Sequence, residues 1–295
     1  MTSYNYGDYI GQAIDSVFNQ IYENWELIII DDGSTDGSQK IIEKYISQNP
    51  HKTIFIKNEK NLGLKASTEI ALTKVSGKYT AFLESDDVWT KDHLSKKVSA
   101  AEKHKNASLI YSNLDIICDE KVNIDKYTDY LNYCRYAGWI INRRNQKPFR
   151  IVFFRNPVVS FSNIFIKSEL VNDLILIKEY EIWSDWQLVM QAALKGEFVY
   201  LPEKLVYWRV HNESFNNRFM RKINPKSEGA RFRVILNTII KDKISKDNED
   251  VIIEYLYNQY SLKFKLDQFF HEIGFAFYSP KSVYRELKRR LEKKQ

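Results

Sequence analysis

Along the first two thirds of the chain, short unbroken apolar runs alternate with segments whose apolar positions recur every three or four residues. Ile10, Ala13, Ile14 and Val17 fall at i, i+3, i+4 and i+7, which predicts an amphipathic helix reaching about Gln20. Residues 27–30 are apolar throughout and rich in β-branched side chains, as suits a strand covered on both faces of a parallel sheet. A helix follows to about Ser47, then a strand at 53–57, a helix at 66–75 closed by Gly77, and a second buried strand at 79–83. Further on the pattern predicts a helix at 92–105, a strand at 109–112, strand character at 156–166 and a short helix at 184–194. That last helix has Ser184 as N-cap and Gly196 as its stop. Two short strands, 198–201 and 205–210, flank Pro202. Residues 119–150 show no clear period and read as irregular, an insertion on the acceptor side. Strand and helix in alternation give an α/β fold, a mostly parallel sheet with flanking helices.

Only MTSYN precedes the first helix, so the opening strand is expected to be cut short, leaving ladder groups of its neighbour unpaired. Beyond residue 214 the character changes. Val234, Leu236, Ile239 and Ile240, and again Ile252, Ile253, Leu256 and Tyr257, are spaced for helices, so 1–214 is expected to be one α/β domain and 215–295 a helical, basic appendage.

Both buried runs stop at carboxylates. Residues 27–30 end at Asp31 and Asp32 before the turn-rich GSTDG, and 79–83 end at Glu84, Ser85, Asp86 and Asp87. Parallel strands joined by right-handed crossovers would bring Asp31, Asp32, Asp86 and Asp87 to one edge of the sheet, where open α/β folds bind ligands. Acids gathered in one cleft repel unless a cation offsets them. A hard divalent ion with oxygen ligands, Mn²⁺ or Mg²⁺, fits that need and would in turn hold a diphosphate. The plainer reading is that both clusters are helix-capping turns, for which Asp and Ser are the preferred residues.

Composition narrows the class. With 44% hydrophobic residues, the chain of 295 can bury a sizeable core. Cys118 and Cys134, the two cysteines, are too few for a disulfide framework or a cysteine-based zinc site, and a reducing, cytoplasmic setting is the default. No apolar stretch approaches the roughly 20 residues that span a bilayer. The net charge of +6 is concentrated toward the end, where 281–295 place Val283, Leu287 and Leu291 on one face of a basic helix. Such a helix suits an anionic membrane surface, and equally a solvated helix packed by its apolar stripe, so peripheral attachment to the inner face of the cell membrane is a candidate. No recognition module accompanies the charge, which argues against nucleic acid as a partner.

The ordered set IIIDDGSTDGS, NLGLKAS, YTAFLESDD and SDWQLVMQAALKGEFVYLPEKLVYWRVHNES resembles the nucleotide-sugar glycosyltransferases of family 2, with the GT-A fold, over about residues 1–214. That resemblance implies a base pocket at Thr2, Tyr4 and Asn5, with Asp32 accepting from a uracil imide. Asp86 and Asp87 stand where the family's D-x-D element holds the ribose and the metal-bound diphosphate. Asp185 matches the expected general base, and His211 a histidine of the metal shell. Two departures stand out: the first acid of the D-x-D element is Glu84, and the acid before the base is Ser184.

The expectation is an inverting, metal-dependent transfer of a sugar from a nucleoside diphosphate sugar, UDP-linked above all, to a saccharide or lipid-linked acceptor in the building of bacterial cell-surface polysaccharide. A nucleotidyltransferase would share the fold but lacks its Gly-rich basic loop, since NYGDYIG carries no Lys or Arg. A transferase-like domain that binds without turnover is the alternative, favoured by Ser184 and the short opening strand.

Overall fold

A computed structural model describes residues 1–118, 125–144, 148–154, 156–171, 184–211 and 214. The chain divides into two compact units, Met1–Ile244 and Ser245–Gln295. The expected helical appendage and its basic terminal helix lie outside the described residues. Among those described, no helix is long and apolar enough to cross a membrane.

The first unit opens with a parallel three-stranded sheet, β1 (Thr2–Ser3), β2 (Leu27–Asp31) and β3 (Thr53–Lys57), with β2 in the middle. Every residue of β2 is buried, as its unbroken apolar run requires. β1 is only two residues long, yet it pairs Thr2 with Ile30 and Ser3 with Asp31. Met1 extends the ladder, its amino group donating to the Ile28 carbonyl at 2.9 Å and its carbonyl accepting from Ile30 N–H at 3.0 Å. β2 is therefore hydrogen-bonded on both sides despite the brevity of β1. Helix α1 (Gly7–Phe18) lays Ile10, Ala13, Ile14 and Val17 into the core, the stripe its spacing predicts. Helix α2 (Ser38–Ile46) makes the crossover from β2 to β3, and α3 (Leu64–Leu72) leads out of this sheet.

A second sheet follows, of five strands: β4 (Tyr79–Ala81), β5 (Val88–Trp89), β6 (Ala107–Cys118), β7 (Phe165–Lys167) and β8 (Glu197–Val210), in the order β4-β7-β6-β8-β5. The long pair β6–β8 is parallel; β4–β7, β6–β7 and β5–β8 are antiparallel. The run at 79–83 thus shares no ladder with β2, contrary to the single sheet its apolar character suggests. The two sheets meet at the site instead, where Ser85 Oγ donates to the Thr2 carbonyl at 2.6 Å. β8 runs straight past Pro202. Leu201 pairs with Ser112 and Lys204 with Asn113, so Pro202 and Glu203 bulge out and the missing proline N–H breaks no ladder bond.

Helix α4 (His93–Lys103) joins β5 to β6. Residues 125–144, read from sequence as irregular, form a twenty-residue helix, α5 (Asp125–Arg144). It is bolted to β8 by Asn142, whose amide donates to the Tyr200 carbonyl at 2.6 Å and accepts from Tyr200 N–H at 3.0 Å. Two short helices, α6 (Pro148–Phe154) and α7 (Ser168–Val171), flank β7, and α8 (Ser184–Lys195) follows with its apolar face buried. The expected strand character at 156–166 resolves into a bent segment, a 3₁₀ turn at Phe161–Asn163 and the start of β7.

Candidate active site

The site lies where the segment after β4 passes the end of β8 and the turn before β7. Asp87 is almost fully buried. Its Oδ1 accepts from the Arg209 backbone N–H at 2.8 Å and its Oδ2 from Ser160 Oγ at 3.1 Å. The same hydroxyl lies 3.1 Å from Glu84 Oε2, so Glu84 and Asp87 share one hydroxyl with one proton to give. Burial, then the charge of Asp86, pushes the Asp87 carboxyl up to about 8, against hydrogen bonds from Ser162, Arg209 and Ser160 that favour the ionised form. Burial and the charges of Asp87, Asp86 and Asp185 lift Glu84 well above the usual carboxylate range. Asp86 faces the other way, its Oδ2 3.1 Å from His211 Nε2.

Arg209 holds this group together. Its Nε donates to the Asp86 carbonyl at 2.8 Å, and its guanidinium reaches Gln12 Oε1 on α1 at 2.6 Å. The guanidinium also sits 4.9 Å from the centroid of the Tyr9 ring, whose centroid is 4.7 Å from that of the His211 ring. Tyr6 meets His211 edge-on. The N-terminal turn of α1 therefore forms an aromatic wall behind His211, fixed by a cation–π contact.

Asp185 stands in the first turn of α8. Asn156 Nδ2 donates to its Oδ2 at 2.9 Å, and burial pushes the carboxyl up to about 7 despite the helix amides and Asn156, which favour ionisation.

Asp31 and Asp32 do not join the acid group, contrary to the four-carboxylate crevice expected from the two strand ends. Asp31 is fully buried, with Oδ1 accepting from Ser34 N–H at 2.9 Å and Gln39 Nε2 at 2.7 Å. Asp32 draws in the loop before α3 through Asn58 Nδ2 (2.7 Å), Leu62 N–H (2.9 Å) and Gly63 N–H (2.9 Å). Strand residues alternate faces, so the two neighbours staple different loops. Asn5 has a left-handed φ of 58° and exchanges hydrogen bonds with Ser34 Oγ and Thr35 N–H, while Gly7 N–H donates to Asp36 Oδ2 at 2.7 Å. The loops after β1 and β2 are thus one interlocked unit. It leaves Tyr4 exposed beside it, and the Thr2 carbonyl is joined to Ser85.

Sequence reading missed Arg209, Ser160 and Asn156. Arg209 lies inside the WRVH segment two positions before His211, and its burial as a charged residue is what sets it apart. Ser160 and Asn156 lay in a stretch read as plain strand.

The sequence profile of Glycosyl transferase family 2 matches residues 1–175. The chain belongs to that family. An uncharacterised glycosyltransferase of Haemophilus influenzae is 29% identical over 224 residues, 75% of this chain and 68% of that one. A Bacillus subtilis protein, TuaG, named as a glycosyltransferase of teichuronic acid biosynthesis, is 34% identical over 127 residues, 42% of this chain and 49% of its own length. The chain thus spans between about half and two thirds of these two relatives. Among solved structures, Staphylococcus aureus TarS 1-349 in complex with UDP-GlcNAc aligns with a TM-score of 0.64 at 19% identity, covering 88% of this chain and 71% of that one. The mannosyltransferase PcManGT of Pyrobaculum calidifontis, in complex with GDP-Man and Mn²⁺, aligns with a TM-score of 0.62 at 15% identity over 98% of this chain and 78% of that one. At these identities the likeness establishes the fold, which is GT-A.

Among the described residues, no three His, Cys, Asp or Glu side chains are grouped closely enough to hold a metal ion by themselves. The donor types nevertheless suit Mn²⁺ or Mg²⁺. Asp86 and His211 already approach each other at 3.1 Å, Asp87 follows in sequence, and such ions take one or two carboxylates from protein and the rest of their shell from phosphate and water. Acids raised by burial and then by the charge of their neighbours are also what a cation relieves.

Proposed function

We propose that this protein transfers a sugar, with inversion, from a nucleoside diphosphate sugar to a hydroxyl of a saccharide or lipid-linked acceptor, in the synthesis of a cell-surface polysaccharide. The observation that carries the reading is the separation of two kinds of carboxylate. Asp86 meets His211, and Glu84 and Asp87 share the Ser160 hydroxyl, while Asp185 stands on a different element, α8, where Asn156 donates to it. Support for a UDP-linked donor comes from TarS, solved with UDP and with UDP-GlcNAc, and support for the cell surface from the name of TuaG. PcManGT, solved with GDP-Man and Mn²⁺, supports the metal.

In this reading the loops after β1 and β2 form the floor for the nucleoside, with Tyr4 exposed to stack on the base and Asp32 beneath, holding the loop before α3 to that floor. Asp86, Asp87 and His211 would hold a divalent cation, which as a Lewis acid neutralises the charge developing on the leaving diphosphate. Arg209 keeps Asp86 and Asp87 in place through its backbone and guanidinium bonds. Asp185 accepts the proton of the acceptor hydroxyl as the new bond forms on the opposite face of the anomeric carbon, which inverts that centre. A carboxyl raised to about 7 suits that role, being partly ionised near neutral pH yet basic enough to take the proton.

Release of nucleoside diphosphate from UDP-, GDP- and dTDP-sugars in Mn²⁺ tests the proposal. A UDP-sugar should be hydrolysed slowly without acceptor, and Asp185→Asn should lower the rate by about 10²- to 10⁴-fold while leaving donor binding in place. Binding without turnover by the unaltered chain would favour a binding module instead. Neither binding nor release from any of these donors would end the transferase reading.

A further inference from the structure

The segment 156–163, between α6 and β7, contains none of the residues that the family resemblance marks, yet it touches both halves of the site. Asn156 is buried, and its Oδ1 accepts from Val158 N–H at 3.0 Å. That bond fixes which end of the amide is which, so Nδ2 is the end that donates to Asp185 Oδ2 at 2.9 Å. Four residues on, Ser160 Oγ reaches Glu84 and Asp87. Between them Ser160 N–H donates to the Val158 carbonyl at 3.0 Å, closing a three-residue turn around Val159, whose φ is +75°. A γ-turn with positive φ is rare and strained, and a β-branched residue at its centre is an outlier.

Strain of this kind persists only where the surroundings over-determine it. Here they do. The Val158 carbonyl also accepts from Asn163 Nδ2 at 3.1 Å. Asn163 is gripped in turn by the Ser112 backbone and hydroxyl, and by the buried Lys97, whose Nζ donates to the Asn163 carbonyl at 2.7 Å and to its Oδ1 at 3.1 Å. A glycine would adopt this φ without steric conflict but would loosen the backbone, whereas the valine held here is fixed by its surroundings.

We propose that Asn156 is a positioning residue for the transfer reaction: its amide, locked by the γ-turn at Val159, holds the Asp185 carboxylate in one orientation and at a fixed separation from the Glu84–Asp87 acids. The inference rests on reading Asp185 as the base. A donor aimed at a carboxylate favours the ionised form, so Asn156 also sets the pH range over which Asp185 accepts a proton. The groups facing Asp185 are Glu84, from the segment after β4, and on its own helix the backbone amides of Asp185 and Trp186. Among the described residues, Asn156 is the side chain from outside α8 that donates to Asp185, opposing the effect of burial.

The test is a carbon-detected NMR titration of aspartate carboxyls in the full chain, with Asp185 assigned by the signal lost in Asp185→Asn. Asn156→Ser leaves a hydroxyl able to accept from Val158 N–H, preserving the turn, but is too short to reach Asp185. Asn156→Ala is the second variant, used if the serine variant does not fold. The expected result is a rise of the Asp185 midpoint by about one to two pH units, the worth of one hydrogen bond to an ionised group. The acid limb of UDP-GlcNAc hydrolysis should move by the same amount, with KM unchanged. An unmoved midpoint in a folded variant would overturn the assignment, since a residue that merely tethers α8 would leave it where it was. Failure of the unaltered chain to hydrolyse any sugar nucleotide would count against the proposed function, and the titration would still decide the role of Asn156.

Discussion

Asp185 carries two opposite pH dependences. Burial raises its carboxyl to about 7 from the ordinary 3.8, so the folded protein binds its proton more tightly than the unfolded chain does. The resulting stabilisation is complete below about 3.8 and is lost as pH rises through about 7. With Asp185 as the proposed base, activity runs the other way, because a base must be ionised to accept a proton. The rate of donor hydrolysis should therefore climb as pH passes about 7, an acid limb that Asp185→Asn abolishes, while that substitution also flattens the decline of thermal stability between pH 5 and 8. A pH–rate profile with its acid limb unchanged in Asp185→Asn would assign the base elsewhere. At this scale Asp86, Asp87, Asp185 and His211 were legible as candidates because each stands in an ordered, quotable segment. Arg209 was not, since its work is done through space: its guanidinium meets Gln12, 197 positions away, and periodicity speaks only of near neighbours. Asp32 was legible as a strand-end acid, but not as the acceptor for two backbone amides of the loop before α3.

Among the elements, α5 shows why an amphipathic helix can escape notice. Its buried apolar positions are Leu131, Cys134, Ala137 and Ile141, two of them modest in hydrophobicity or size, while Tyr136 and Trp139 stand exposed with their rings stacked on the outer face. Apolar and exposed positions are thus mixed in composition, and the period is blurred. Small residues are needed because the helix approaches β8 closely. A Cβ at Gly138 would lie 2.4 Å from the Tyr200 ring, and the Tyr200 backbone is pinned by Asn142. Gly138→Ala should gain about 1 kcal/mol in helix propensity and lose about 1–3 kcal/mol to overpacking, for a net drop in melting temperature by differential scanning fluorimetry. A melting temperature equal to or above that of the unaltered chain would mean that α5 sits farther from β8 than the structure shows. β8 itself read as two strands because Pro202 interrupts its pattern. The bulge that carries Pro202 and Glu203 past Asn113 is a tertiary solution, visible only once β6 is beside it.

For the whole molecule, alternating strands and helices were enough to give the α/β class. The division into two sheets was not, since an apolar run such as 79–83 looks the same in a parallel or an antiparallel neighbourhood. That division has a functional consequence. The interlocked loops, proposed to take the nucleoside, belong to the parallel sheet and the acid group to the mixed one; Ser85 to Thr2 and Arg209 to Gln12 join the two at the site, alongside the bonds of Gln20 to Thr90 and Leu94. Donor binding that spans both halves through a shared cation is the central claim, and isothermal titration of UDP into the full chain tests it directly. UDP should bind in Mn²⁺, lose at least tenfold in affinity when the metal is removed by EDTA, and show the same loss with metal present in Asp86→Asn, a difference of about 1.4 kcal/mol or more. Equal affinity with and without Mn²⁺, or binding untouched by Asp86→Asn, would contradict the account.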